Sequence, residues 1–360
     1  MAITYHAGRR IQGTETDRVG SDAISGGWKE VGRTTLGSAG DALTVSSFAD
    51  KRYYMVLYNA IPSGELTEYM TMGSSGTKDT GSNYVTRVSQ EGGSDSTYTS
   101  RANIVFAAKS GATQPEFGVS YIANKSDKEK LLIGHSSNAV TAGAGTVPDR
   151  SEFVAKHVQT SNPLDVVSFD NTGSGDFASG SECVVLGYDP DDTHTDNFWE
   201  ELANVTTTSS ADFFSSGTIT AKKYLWVQAY VKQASPYSTG LQFNSDTANN
   251  YAVRFSGNGN ADSTAGTNTW KCALNYSSLA GGGYFMNAFI INDSSKEKLV
   301  IGHTTENSSS GAGTTPNRLE SAGKWANTSD QITSIQIRKE SGAGGGQLQS
   351  GSFIKVWGSN

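Results

Sequence analysis

A long stretch of this chain occurs twice. Residues 126–135, Ser-Asp-Lys-Glu-Lys-Leu-Leu-Ile-Gly-His, return at 294–303 as Ser-Ser-Lys-Glu-Lys-Leu-Val-Ile-Gly-His. Residues 143–150, Gly-Ala-Gly-Thr-Val-Pro-Asp-Arg, return at 311–318 as Gly-Ala-Gly-Thr-Thr-Pro-Asn-Arg. Both pairs share one offset of 168 positions, as from His135 to His303, with no gap between them. Shorter blocks extend the match in the same order. Trp28-Lys-Glu-Val answers Trp199-Glu-Glu-Leu, Lys51-Arg-Tyr-Tyr-Met-Val answers Lys222-Lys-Tyr-Leu-Trp-Val, and Asn83-Tyr-Val-Thr-Arg-Val-Ser answers Asn250-Tyr-Ala-Val-Arg-Phe-Ser. The copies also close alike, Gly180-Ser-Glu-Cys-Val-Val-Leu-Gly against Gly351-Ser-Phe-Ile-Lys-Val-Trp-Gly. An internal repeat governs the fold assignment, because a missed one misassigns the whole chain.

The repeat divides the 360 residues into an N-terminal arm at 1–24, a first copy at 25–189, an acidic linker at 190–195 and a second copy at 196–360. Each copy has a comfortable size for a domain with its own core, whereas a single core seldom grows past about 250–300 residues. Within a copy the apolar period is two. Along Tyr224-Leu-Trp-Val-Gln-Ala-Tyr-Val, the set Leu225, Val227, Ala229 and Val231 faces one way, and Tyr224, Trp226, Gln228 and Tyr230 face the other. Ile335 and Ile337 alternate with polar neighbours, as do Ile354 and Val356. With 41 glycines and only 18% charged residues, the chain reads as strands separated by Gly, Ser, Asn and Asp turns. The expected fold is all-β: two tandem homologous antiparallel β-sandwiches of jelly-roll-like type, with the last strand of each copy beside an early one. Cys183 and Cys272 occupy non-equivalent places in the copies and are expected as free buried thiols.

A formal net charge of -7 argues against a phosphate-binding surface, which needs clustered Lys and Arg, so no nucleic-acid partner is expected. No run approaches the roughly 20 apolar residues of a membrane span, and the first residues show no apolar signal core, so neither membrane insertion nor secretion is expected.

The segment 324–337, Lys-Trp-Ala-Asn-Thr-Ser-Asp-Gln-Ile-Thr-Ser-Ile-Gln-Ile, followed by a glycine-rich gap and Gly351-Ser-Phe-Ile-Lys-Val-Trp-Gly, resembles the C-terminal part of β-sandwich modules in structural proteins of marine tailed viruses of bacteria or archaea. The opening His6-Ala-Gly-Arg-Arg-Ile-Gln-Gly shares the resemblance more loosely. It implies a non-enzymatic virion protein assembled in the host cytoplasm, a capsid decoration protein or surface appendage. Its partners would be other capsid proteins and further copies of itself; repeated surface contacts and the need to cover exposed sheet edges point to a symmetric homo-oligomer, expected as a trimer. The same class includes a major capsid protein with two jelly rolls in one chain. A carbohydrate-binding adhesin that meets a host-surface glycan is the alternative from a different class. The resemblance brings no catalytic residues and no cofactor.

Several residues nevertheless invite a site. The repeated His135 and His303 have no recognisable nucleophile or carboxylate motif beside them in sequence, and are expected to bond a backbone carbonyl at a strand end. Arg150 and Arg318, each two residues before a glutamate (Glu152, Glu320), and the equivalent Arg87 and Arg254 are expected to pin loops within their own sandwich. Asp189, Asp191, Asp192 and Asp196 offer oxygen ligands for a cation but lack the glycine and final glutamate of an EF-hand loop, so a solvated acidic linker is expected and a bound cation is the alternative. Tyr224, Trp226 and Tyr230 share one face and are expected to pack under a loop or against another subunit, with an aromatic platform for sugar rings as the alternative. In the arm, Ile3, Tyr5, Arg9, Arg10 and Ile11 form a near-neutral set of apolar and arginine anchors suited to docking on a neighbouring protein.

Overall fold

The computed structural model describes residues 24–25, 27–190, 192–194, 196–234, 237–273, 282–307, 311–340 and 347–360. Every described regular element is a β-strand, and all the pairings are antiparallel. In the first half an eight-stranded sheet runs in the order Lys29–Thr35, Glu182–Tyr188, Tyr53–Ala60, Glu116–Ala123, Lys130–Asn138, Asp149–His157, Tyr84–Gln90, Ser96–Arg101. The second half reproduces that order with Glu200–Thr206, Phe353–Ser359, Tyr224–Lys232, Gly283–Ile291, Lys298–Glu306, Asn317–Trp325, Tyr251–Gly257 and Ser263–Thr267. The last strand of each half pairs with the first, Glu182 opposite Thr35 and Gly358 opposite Glu200.

A four-stranded sheet covers the inner face of each large one. It runs Ala42–Ser46, Val166–Asn171, Glu68–Ser74, Thr77–Lys78 in the first half and Phe213–Thr218, Ser334–Lys339, Thr239–Phe243, Trp270–Ala273 in the second. Only the fourth strand differs in origin: a tight hairpin return in one copy, a later segment in the other. The period-two reading holds between the sheets. Leu225, Val227, Ala229 and Val231 are buried with Ile335, Ile337, Ile354 and Val356, as are Tyr54, Val56, Tyr58 and Ala60 in the first sandwich. Cys183 is a buried free thiol, and the side chain of Cys272 lies outside the described residues.

The two cores are filled differently. In the first, the Phe153 ring lies over Gly134, where an added Cβ would come within 2.4 Å of it. In the second, Ser321 replaces that phenylalanine and Trp270 fills the space from the small sheet. Its ring lies so close to Gly302 and Gly323 that a Cβ on either would stand 2.6 or 2.0 Å away.

The first core also buries two carboxyl groups, Glu68 and Glu116, near the Tyr58 hydroxyl. Burial pushes Glu68 well above the usual carboxylate range, and the charge of Glu116 adds to the shift. Burial also raises Glu116, to about 7, although the Ala108 N–H donates to it at 2.9 Å. The folded protein therefore holds these protons more tightly than the unfolded chain does. The stabilising contribution of Glu116 is fully present below the unfolded value of about 4.3 and is lost as pH rises through about 7, and Glu68 acts in the same direction. Glu68→Gln removes one of the paired acids, so its stability relative to wild type should improve between pH 5 and pH 8 in thermal unfolding. A difference that stays constant over that range would contradict a protonated pair.

Candidate functional site

Several strands of the large sheets are apolar on both faces, which requires a covering for the outer face as well. Each sheet supplies that covering for the other. Met55, Leu57, Phe117, Val119, Val184 and Leu186 of the first half form one buried cluster with Phe198, Trp199, Tyr224, Phe289, Leu299 and Ile301 of the second. The molecule is thus four layers deep, with the large sheets stacked in the middle. At one side of this joint, Trp226 stacks on Phe289 at 5.5 Å and meets Trp357 at 4.9 Å, while its indole N–H donates to Asn287. Nearby, Tyr224 donates to Glu182 across the joint at 2.7 Å, and Arg33 and Lys223 pair with the same carboxylate. Burial alone would raise Glu182, but Thr35, Tyr224, Lys223 and Arg33 outweigh it and hold the carboxyl below its usual range.

The other side of the joint is polar. His135 of the first sheet and His303 of the second, equivalent positions of the repeat, meet with ring centroids 4.2 Å apart and planes at 63°. Glu152 is the cross-strand neighbour of His135, and Glu320 that of His303. Ligand atoms of His135, Glu152 and His303 all lie within 4.8 Å of one another. A recess of about 10 Å³ opens between them, lined also by Arg150, Gly302 and Ser321, and a space of that size admits one water or one ion. Burial lowers His135 well below the usual histidine range, with His303 and Arg150 adding to the effect, and burial lowers His303 as well. Both imidazoles are therefore neutral near pH 7. Burial and then the charge of Glu152 raise Glu320 to about 7.

Charged contacts across the joint enclose this cluster. Arg150 donates to both oxygens of Asp262, at 2.9 and 2.7 Å, and also contacts Glu152. Arg254 donates to the Pro148 carbonyl at 2.8 Å and pairs with Asp149. Lys324 donates to the carbonyls of Ala139 and Thr141 and pairs with Glu297. The sheets overlap only partly. The first leaves Tyr53, Leu131, Ile133 and Val154 exposed at the uncovered end of its outer face, where Trp28, Tyr121 and Tyr188 help line an open apolar groove of about 400 Å³. The second leaves Tyr230, Phe285 and Phe353 exposed.

This arrangement corrects the expectations for the histidines and the arginines, and bears on the alternatives for the aromatic face and the acidic linker. His135 and His303 make no hydrogen bond to a carbonyl among the described residues; they face each other, because the sheets stack on the faces that carry them. Arg150 and Arg254 join the two sandwiches instead of pinning loops within one, whereas Arg318 pairs with Glu320 in its own half at 2.9 Å. Tyr224, Trp226 and Tyr230 share a strand face but not an exposed surface. The joint buries Tyr224 and partly buries Trp226, leaving Tyr230 near Phe353 at 6.1 Å. The linker carboxylates are dispersed onto separate bases, Asp189 near Arg52, Asp192 on Lys51 and Asp196 on Lys29, so those three do not converge on a cation. Asp191 and the arm residues Ile3, Tyr5, Arg9, Arg10 and Ile11 lie outside the described residues. Sequence alone did not single out Asp262, although its spacing from Arg254 repeats that of Asp95 from Arg87.

No family model matches the chain, and no curated protein matches it. Among solved structures, the mouse laminin alpha1 chain, domains LG4-5, is similar over 92% of this chain and 91% of that chain, at 10% identity and a TM-score of 0.21.

Proposed function

We propose that the chain is a non-enzymatic building block of a virus particle, a capsid decoration or surface-appendage protein that works by docking to other copies of itself and to capsid proteins. The observation that carries this reading is the pair of bare apolar ends left by the offset sheets. Leu131 and Ile133, 58% and 54% exposed, line with Tyr53 the open apolar groove at the uncovered end of the first sheet, beside the exposed Val154. Contiguous apolar surface of this kind marks a protein contact more often than an idle surface. The doubly buried central sheets support the reading, since a stiff four-layer block presents such a surface with little reorganisation on binding. The resemblance of the C-terminal strands to virion β-sandwich modules supplies the particle as the setting.

Mass spectrometry of purified particles is expected to find the chain as a component. Leu131→Glu with Ile133→Glu should abolish its incorporation, or its self-association measured by light scattering, while leaving Tm within a few degrees because neither side chain is buried. Absence from particles, or a monomeric wild type that the double substitution leaves unchanged in every association assay, would overturn the proposal.

A further inference from the structure

We propose that the joint between the sandwiches is a binding site for one zinc-class divalent cation, held by the imidazoles of His135 and His303 and the carboxylate of Glu152. The proposal is independent of any role in a particle. Three ligand atoms from both halves already lie within 4.8 Å of one another around a recess the size of an ion. Each imidazole is half-buried, and no hydrogen bond to a ring nitrogen of either is found among the described residues, so each neutral ring keeps one lone pair for a ligand. A cation bound there would satisfy both rings at once.

The donor set selects the metal. Two imidazole nitrogens with one or two carboxylate oxygens suit zinc and its neighbours in the first transition row, whereas calcium and magnesium take oxygen shells. Zinc sites of this kind are tetrahedral, and His135, His303 and Glu152 provide three of the four positions, leaving one for a water. Glu152 also contacts Arg150, but Arg150 keeps two bonds to Asp262 when Glu152 turns to the metal. Since each half contributes one histidine, the ion would clamp the two sandwiches together.

The test uses the full chain stripped with a chelator and dialysed. Titration with zinc chloride, followed by elemental analysis after gel filtration, is expected to give one zinc per chain. Cobalt in place of zinc should show the visible absorption of a tetrahedral site, which needs no variant to interpret. His135→Ala and His303→Ala should each weaken zinc binding at least about hundredfold, since even the groups that orient a ligand are worth 10–100-fold. Tm should rise with zinc in the wild type and stay fixed in both variants. Glu152→Gln, which keeps the shape of the side chain, serves if an alanine variant fails to fold. No binding by the stripped wild type at 100-fold molar excess of zinc would overturn the proposal. So would binding that survives in both histidine variants, or a preference for calcium.

Discussion

Asp262→Ala should destabilise the protein by about 3–5 kcal/mol, the usual cost of removing one partner from a buried ion pair. Asp262 accepts two hydrogen bonds from Arg150, and the two side chains are only 4% and 7% exposed. Without the carboxylate, the guanidinium stays enclosed between the sandwiches with Glu152 and Glu320 as its remaining acidic neighbours. The repeat supplies an internal control. Asp95 stands at the equivalent hairpin of the first half, where it pairs with Arg87 at 3.2 Å, but those side chains are 47% and 58% exposed. An exposed pair of this kind is worth about 0–1 kcal/mol, so Asp95→Ala should scarcely move the urea midpoint. The contrast between the two substitutions measures what the joint adds: Asp262 has its equivalent arginine, Arg254, only at 3.9 Å and takes its two hydrogen bonds from Arg150 across the joint. Equal effects from both, or a loss below about 1 kcal/mol for Asp262→Ala, would mean that the joint does not enclose the pair.

Trp270→Ala should cost a similar amount, about 3–5 kcal/mol, through a different mechanism. The indole fills the second core where the first has Phe153, and its neighbours Gly302 and Gly323 have no side chain with which to close the gap. A cavity bounded by two strand backbones relaxes little, so the loss should lie near the upper end for a buried aromatic. Trp270→Phe should cost much less, because the indole N–H has no partner among the described residues and only volume is removed. The reverse change is informative too. Gly323→Ala would set a Cβ 2.0 Å from the Trp270 ring and should destabilise by about 1–3 kcal/mol through overpacking. Chemical denaturation followed by far-ultraviolet circular dichroism reads all three variants. A Trp270→Ala protein within 1 kcal/mol of wild type would show that the second core is supported elsewhere.

The sequence by itself determined the duplication, the all-β class and the inner face of each strand. Those features are local: a period of two tells which side chains of Tyr224–Lys232 leave water, and a constant offset tells which positions correspond. What covers the second face was not legible. Burial is non-directional, so apolar patterning names the groups that must be buried without naming their partner. Only the tertiary structure decided that the outer faces of the two copies stack on each other, placing Met55 and Leu57 in one cluster with Phe289 and Ile301. The candidate site follows from that choice. His135 and His303 lie 168 positions apart, and neither has a chemical partner in its own neighbourhood of the chain. They meet because two equivalent sheet faces pack together, which brings equivalent residues to a shared centre. The same stacking divides the aromatic face of one strand between a buried Tyr224 and an exposed Tyr230, and encloses Arg254 while leaving Arg87 in solvent. Residues identical in type and spacing acquire different surroundings because the overlap of the sheets is partial, and the extent of that overlap is a property of two assembled surfaces rather than of any segment of sequence.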